Sequence, residues 1–588
     1  MHKSGSYDSP DNYRGIALTS VLSKVFVHIL NERLRGWMEE EGIYREEQAG
    51  FRRGYSTTDN IFVLHGIIQK YLNRKRKFFA CFIDFKKAFD SVNRPVLWQV
   101  LRQLGVQGRL LRILQAMYGS VQYCVRSAQG QSQFFESLVG LKQGCKISPL
   151  LFTVMINSLI EEVSAKAKHG VQLMPNTPDV SILLFADDVV VFSDTAIGLQ
   201  NQLNLIKESS DKLGLTVNVS KTKVIVFRSG GYLASHEKWH IGDDEVGVTN
   251  EYRYLGIKFT PKLCTRVALS DLASRAKSAL SVLNRILKKV PHVPPNVYFK
   301  LFDAQVQQIL LYGAEVWGIG DCGGIESVHL QAIKNFLNVS FRTPNLMCYG
   351  DTGCFPMYIN ATLRSIKYWL KILRMDSDRL PLRVYRMMCS QPPHVKTWVT
   401  LIKDVLTKFG YDNLWSSQHV QNEKEFLKNL RSKMIESFWL QWKSELCGSI
   451  RYSFYREIKD ECRVENYLYD IDKKVFRDVF VRFRLGCTEL YVHKQRYATH
   501  PVEMLCPLCR EEDEDENHLL LKCPALQDLR EHYLCPYVPT TNENHVKILM
   551  SNNQKIVNQS TSIFLYKAFQ RRSCAINSPE CNAFYLDM

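Results

Sequence analysis

The 588-residue sequence has no apolar run near the roughly 20 residues needed to span a bilayer. Its opening, Met1-His2-Lys3-Ser4-Gly5, lacks the apolar core of a signal peptide. No clear internal repeat is visible. The 17 cysteines are odd in number and follow no regular framework. That excludes a disulfide-stapled secreted fold and predicts reduced thiols in a soluble, intracellular protein with no membrane partner. What is present is positive charge. Basic residues number 76 against 59 acidic ones, giving +17 and a pI near 9.1, which suits a polyanionic partner such as nucleic acid. A ribosomal or membrane-surface protein would share that balance. With 45% hydrophobic residues, core material is ample, and the length exceeds what one core holds, so three or four domains are expected.

From about residue 12 to 258 helical periods mix with short β-rich runs, an α+β pattern. Strand candidates are Phe78 to Phe85, Ile182 to Phe192 and Val224 to Arg228, while Pro149 to Val163 reads as a buried helix. Beyond residue 260 the pattern is mainly helical. Ser270 is placed to cap a helix carrying Leu272, Ala276, Leu280, Leu283 and Leu287, stopped by Pro291, Pro294 and Pro295, and a second helix is expected from Val297 to Tyr312. The acidic stretch Arg510 to Glu516 and the polar stretch from Thr541 onward predict loops or disorder. The basic run Arg74-Lys75-Arg76-Lys77 reads as a solvated loop before a strand, with phosphate contact or nuclear import as the alternatives.

Two segments place aspartate inside apolar β-rich runs, where an unpaired charge is expensive. They are Phe82-Ile83-Asp84-Phe85-Lys86-Lys87-Ala88-Phe89-Asp90 and Leu184-Phe185-Ala186-Asp187-Asp188-Val189-Val190. Alone, either fits a helix cap or an ordinary exposed turn. If the strands pair, three carboxylates converge, and two unit charges about 4 Å apart repel by roughly 4 kcal/mol at an effective dielectric of 20. Divalent cations offset that repulsion, and hard carboxylate oxygens select Mg2+. In a two-metal arrangement one ion activates an attacking hydroxyl and the other steadies a leaving pyrophosphate.

With these segments in place, the chain resembles the reverse transcriptases of non-LTR (LINE-type) retrotransposons over residues 8 to 260. The motifs run in order: Asn12 to Leu18, Gln48-Ala49-Gly50-Phe51-Arg52-Arg53-Gly54 through Asp59, Asp84 to Asp90, Gly140-Leu141-Lys142-Gln143-Gly144-Cys145 with Ser148-Pro149, Phe185 to Asp188, Gly214-Leu215 through Asn218 with Lys221-Thr222-Lys223, and Tyr254-Leu255-Gly256. The resemblance implies a right-hand polymerase fold: fingers and palm over 1–260, a helical thumb over 261–345, a helical connector over 346–495, a zinc-binding-like segment over 496–540 and a polar tail over 541–588. It implies an RNA-directed DNA polymerase with RNA template, DNA primer or target and dNTPs as partners, acting in the nucleus and in cytoplasmic ribonucleoprotein.

By that resemblance Asp84 and Asp187 ligate two Mg2+ ions with the Phe85 carbonyl, and Asp188 lies close by. Phe89 matches the steric gate against a ribose 2′-hydroxyl, and Gln143 and Gly144 fall in the motif that positions template and nucleotide. Tyr254, Leu255 and Gly256 match the primer grip. Arg52 is the first choice for gripping the triphosphate, ahead of Arg14 and Arg53, because guanidinium binds phosphate oxygens in a fork. Lys221 is the candidate general acid for pyrophosphate, with Lys223 not separable from it.

Cys506, Cys509, His518 and Cys523 form C-x2-C-x8-H-x4-C, a donor set suited to a closed, structural Zn2+ site, with Cys535 a possible substitute. This segment also resembles the C-terminal zinc-binding segment of many non-LTR elements, which favours them over group II intron-type maturases sharing the Phe-Ala-Asp-Asp form. Family members usually carry an endonuclease upstream of the polymerase, and the sequence shows none; a truncated or domesticated nucleic-acid-binding remnant is the competing reading.

Overall fold

The runs dense in Val, Ile and Phe become four strands of one antiparallel sheet: β1 (Phe78–Ile83), β2 (Ile182–Phe185), β3 (Asp188–Ser193) and β4 (Lys223–Phe227), ordered β2-β3-β1-β4. The computed structural model describes residues 2, 6–9, 12–127, 130–166, 170–175, 177–290, 292–495, 500, 504–538 and 544–577. Register sets Ile83 opposite Val189 and Phe82 opposite Lys223. Two helices, α1 (Val21–Glu40) and α2 (Thr57–Asn73), precede β1; α3 (Ser148–Lys166) and α4 (Ala196–Leu213) flank the β2–β3 hairpin in sequence.

Side chains leave a strand on alternate faces. On one face Phe79, Cys81 and Ile83 share a core with Phe152 and Met155 of α3 and Leu203 of α4. On the other, Phe78 stacks on Tyr71 of α2, and Phe82 stacks at 4.4 Å on Tyr252. Because both faces are covered, the strands show continuous apolar runs rather than the polar alternation of a sheet with one wet face.

The chain divides into two compact units. One comprises Met1–Ala268, Tyr368–Lys408 and Asp412–His419; the other comprises Leu269–Lys367, Phe409–Tyr411 and Val420–Met588. Within the first, helix Leu380–Cys389 packs on α2 where Gly66 leaves room, since a Cβ there would lie 2.4 Å from Met388 and 2.5 Å from Val384. Asp59 of α2, 2% exposed, accepts from Tyr368 Oη and Lys371 Nζ, each at 2.9 Å, and from Arg379 at 3.3 Å. Within the second, the fully buried Arg484 donates to Asp351 at 2.9 Å, and the Tyr455 and Tyr467 hydroxyls satisfy the same carboxylate.

Three local expectations differ from the structure. Ser270 lies inside helix Thr265–Leu287 rather than capping it, because the buried stripe extends a turn earlier through Ala268 and Leu269. The helix expected from Val297 starts at Pro295, in the first-turn position where proline's missing N–H costs nothing, and a π-helical turn at Asp303–Gln307 interrupts it. The polar region after Thr541 holds helices His545–Met550 and Lys555–Asn577, the latter burying Val557, Thr561, Phe564, Leu565 and Ala568 at helical spacing. Residues 541–543 and 578–588 of that region lie outside the described residues. The Arg74–Lys77 run is a loop before β1, where Lys77 pairs with Glu237.

Candidate active site

Phe185 pairs with Asp188 across β2 and β3, so Ala186 and Asp187 form the two-residue turn of a tight hairpin. Such turns require positive φ at a central position, normally supplied by glycine, and here Ala186 takes φ 60°. Asp84 follows β1, the neighbour of β3, so the sheet brings both segments to one edge. The Asp84 backbone carbonyl accepts from Asn218 N–H at 2.7 Å, and its carboxylate accepts from Asn218 Nδ2 at 2.9 Å.

A cavity of about 920 Å³ opens at that edge, and Asp84, Phe85, Phe89, Gln143, Gly144, Asp187 and Lys221 all line it. Phe89 stacks on Phe152 with centroids 4.5 Å apart and meets Phe51 edge-on at 6.4 Å. Gln143 donates to Asp90 at 2.9 Å, which fixes its amide. Gly144 has φ 101°, and a Cβ would sit 3.0 Å from the Ala17 carbonyl, so the backbone here needs glycine. Lys221, 71% exposed, holds its ammonium 4.0 Å from Asp84.

Asp188 does not line this cavity; its negative charge reaches Tyr252 and Tyr254 instead. Loss of hydration, with the charges of Asp187 and Asp84, pushes its carboxyl up to about 6. Tyr252 is pushed up to about 12, chiefly by burial and then by Asp188 and Asp84. Asp84 and Asp187 are therefore the pair that faces the cavity together. The three carboxylates do not close into one tight ligand set within 4.8 Å.

Arg52 lies outside the cavity lining. Its guanidinium is sandwiched between Tyr44 at 4.7 Å and Tyr55 at 4.0 Å, and it donates to the Arg45 carbonyl at 2.8 Å. The arginine that lines the cavity is Arg14, together with Lys86 and Lys87. Lys223 begins β4 beside Gly247, whereas Lys221 reaches the cavity, so geometry separates two lysines that sequence did not. Tyr254, 2% exposed, ends strand β5 (Tyr252–Tyr254), which turns through Leu255 at φ 45° and Gly256 at φ 84° into β6 (Ile257–Phe259). Sequence reasoning assigned no role to Gln48, Phe51 or Asn218; their place in the motif segments was the available signal.

In the second unit, Cys506, Cys509, His518 and Cys523 offer ligand atoms that all lie within 4.8 Å of one another, the one such group among the described residues. Cys506 and Cys523 are fully buried. Hydrogen bonding with the Cys523 sulfur draws Cys506 below the usual thiol range despite burial. His518 turns Nε2 toward Cys509 at 3.4 Å and Nδ1 toward Glu512 at 3.0 Å, the outer carboxylate that orients metal-binding histidines. Cys535 is exposed and outside the group. The acidic stretch is a loop built around this group: Glu514 is fully buried against Arg572 at 2.5 Å, and Glu516 accepts from His493 at 2.8 Å.

Residues 1–259 match the family described as reverse transcriptase (RNA-dependent DNA polymerase). This part of the chain is a reverse transcriptase domain. Curated relatives agree with the resemblance read from the motifs. A Pol polyprotein from a type-1 retrotransposable element of Popillia japonica is 25% identical, covering 67% of this chain and 55% of that protein. A probable RNA-directed DNA polymerase from transposon X-element of Drosophila melanogaster is 25% identical over 62% of this chain and 38% of its own length. The RNA-directed DNA polymerase from mobile element jockey of Drosophila funebris is 21% identical over 58% and 37%. The chain thus spans about half the length, or less, of these relatives. Among solved structures a telomerase from Candida albicans is 12% identical with a TM-score of 0.31, covering 70% of this chain and 57% of that one. No described helix is long and apolar enough to cross a membrane.

Proposed function

We propose that this reverse transcriptase domain makes the chain an RNA-directed DNA polymerase of a non-LTR retrotransposon, extending a DNA primer on an RNA template with dNTPs. One observation carries the reading: Asp84, just after β1, and Asp187, in the β2–β3 turn, line one cavity with Phe89, Gln143 and Lys221. The donor set is two carboxylates plus the Phe85 backbone beside an open cavity, and such oxygen sites fit Mg2+. When bound, Mg2+ activates the primer hydroxyl and neutralises charge on the departing pyrophosphate.

The protein's own groups supply the rest. In the transfer, the primer 3′-oxygen bonds to the α-phosphorus as the bond to pyrophosphate breaks. Lys221, largely exposed where it lines the cavity, is placed to give pyrophosphate its proton. Arg14, Lys86 and Lys87 supply positive charge for the triphosphate. Phe89 cannot retreat because Phe152 lies flat behind it, so its ring excludes a ribose 2′-hydroxyl. The sharp turn at Leu255 and Gly256 serves as the primer grip. In the second unit, Cys506, Cys509, His518 and Cys523 would hold Zn2+ as a closed structural site.

Primer extension on matched RNA and DNA templates tests the proposal. It predicts Mg2+-dependent incorporation of dNTPs on RNA; binding of primer-template without incorporation on either would refute it.

A further inference from the structure

The Gln48 side chain is fully buried beside the catalytic turn. Its Oε1 accepts two backbone N–H groups, from Gly50 at 2.8 Å and from Ala186 at 3.1 Å. Each donor adjoins or is a non-glycine residue with left-handed backbone: Phe51 at φ 62° and Ala186 at φ 60°. Such residues persist only where the surroundings over-determine them. The two strained points lead to two residues that line the same cavity, Phe51 and Asp187.

The backbone around Gln48 reinforces the link. Leu184 of β2 donates to the Glu47 carbonyl and accepts from Ala49 N–H, both at 2.9 Å, and the Asn60 amide donates to the same Leu184 carbonyl at 2.9 Å. Segment Glu47–Gly50 thus caps the free edge of β2 as a short parallel bridge. Gly50 fits so closely that a Cβ would lie 2.2 Å from Ala186 N. Gln48 Nε2 finds no partner among the described residues, so the amide works through its oxygen alone.

We propose that Gln48 is a positioning residue: its buried carbonyl locks the Phe51 loop and the Ala186–Asp187 turn to each other, and so fixes the nucleotide against the catalytic carboxylate. This rests on the polymerase reading above. Phe51 meets Phe89 edge-on, so the lock also sets one wall of the ribose gate.

The test compares the full chain with Gln48→Leu, which keeps bulk and loses the acceptor, and Gln48→Glu, which keeps it. Misplacement by about 1 Å costs about 100-fold in turnover. Q48L is expected to lose about that much kcat, with a smaller change in dNTP KM, and to need more Mg2+ for half-maximal extension. Q48E is expected to stay within about tenfold of the parent, because its carboxyl oxygen still accepts both N–H groups. Full activity in Q48L, or equal losses in both variants, would overturn the proposal. If Q48L fails to fold, Q48E decides alone: activity within about tenfold supports the lock and a greater loss overturns it. A parent chain that incorporates nothing would refute the polymerase reading and not the lock. The lock is then scored by Mn2+ affinity in electron paramagnetic resonance, with weaker binding in Q48L than in Q48E supporting it and equal binding overturning it.

Discussion

Asp59→Ala should loosen α2 more than any surface change in the first unit. The carboxylate is 2% exposed, and it closes a capping box by accepting from Ser56 N–H at 3.0 Å. Losing such a cap costs about 1 kcal/mol. Its removal also strands Lys371 and Arg379, whose side chains are 33% and 14% exposed. Breaking a buried ion pair costs roughly 3–5 kcal/mol. Here the lower end applies, because Lys371 can rehydrate and Arg379 keeps Glu46 at 3.0 Å. The total is about 4 kcal/mol, and at about 1.4 kcal/mol per tenfold that is roughly three orders of magnitude in local opening. Amide hydrogen exchange of peptides from residues 57–73, read by mass spectrometry, reports it directly. Exchange accelerated by less than about threefold would refute the reasoning that this carboxylate ties α2 to the 368–408 segment.

Other outcomes follow from the same geometry. Phe89→Ala removes the ring braced by Phe152, and the preference for dNTPs over rNTPs should fall by about 100-fold in single-nucleotide competition; unchanged selectivity would remove Phe89 from the gate. Native mass spectrometry should find one Zn2+ per chain, lost together with exchange protection of residues 505–523 on Cys506→Ser; a chain free of metal with that segment still protected would contradict the site. Burial works to lower His329, but hydrogen bonds with Cys354 and Glu326 overcome it and raise its value from 6.5 to about 9. A histidine raised on folding contributes stability that is complete below 6.5 and is lost as pH climbs through about 9. Exchange of helix Gly323–Leu337 should therefore accelerate across that window beyond the intrinsic chemical rate, and no added acceleration would count against it.

The aspartates were legible because charge inside an apolar run demands an explanation, and the run is visible in the sequence. The strands were legible because burial on both faces leaves continuous Val, Ile and Phe. The Cys-His set was legible from spacing. What sequence did not show is partnership across distance. Gln48 meets Ala186 138 positions away, and Asp59 meets Tyr368 309 positions away, so neither motif residue revealed what it holds. Arg52 has the right chemistry for phosphate, yet Tyr44 and Tyr55 enclose it, and nothing local in the sequence marks that enclosure. Helix Lys555–Asn577 was hidden because buried Thr561 and Ser562 interrupt its apolar stripe.

Asp84 and Asp187 are the catalytic pair proposed for RNA-templated DNA synthesis. Single-turnover incorporation of one dNTP on an RNA-templated DNA primer, comparing the chain with Asp187→Ala, tests that assignment most directly. Incorporation is expected to depend on Mg2+ and to fall by at least about 1,000-fold in the variant while primer-template binding persists. Incorporation at the parent rate by Asp187→Ala would contradict it.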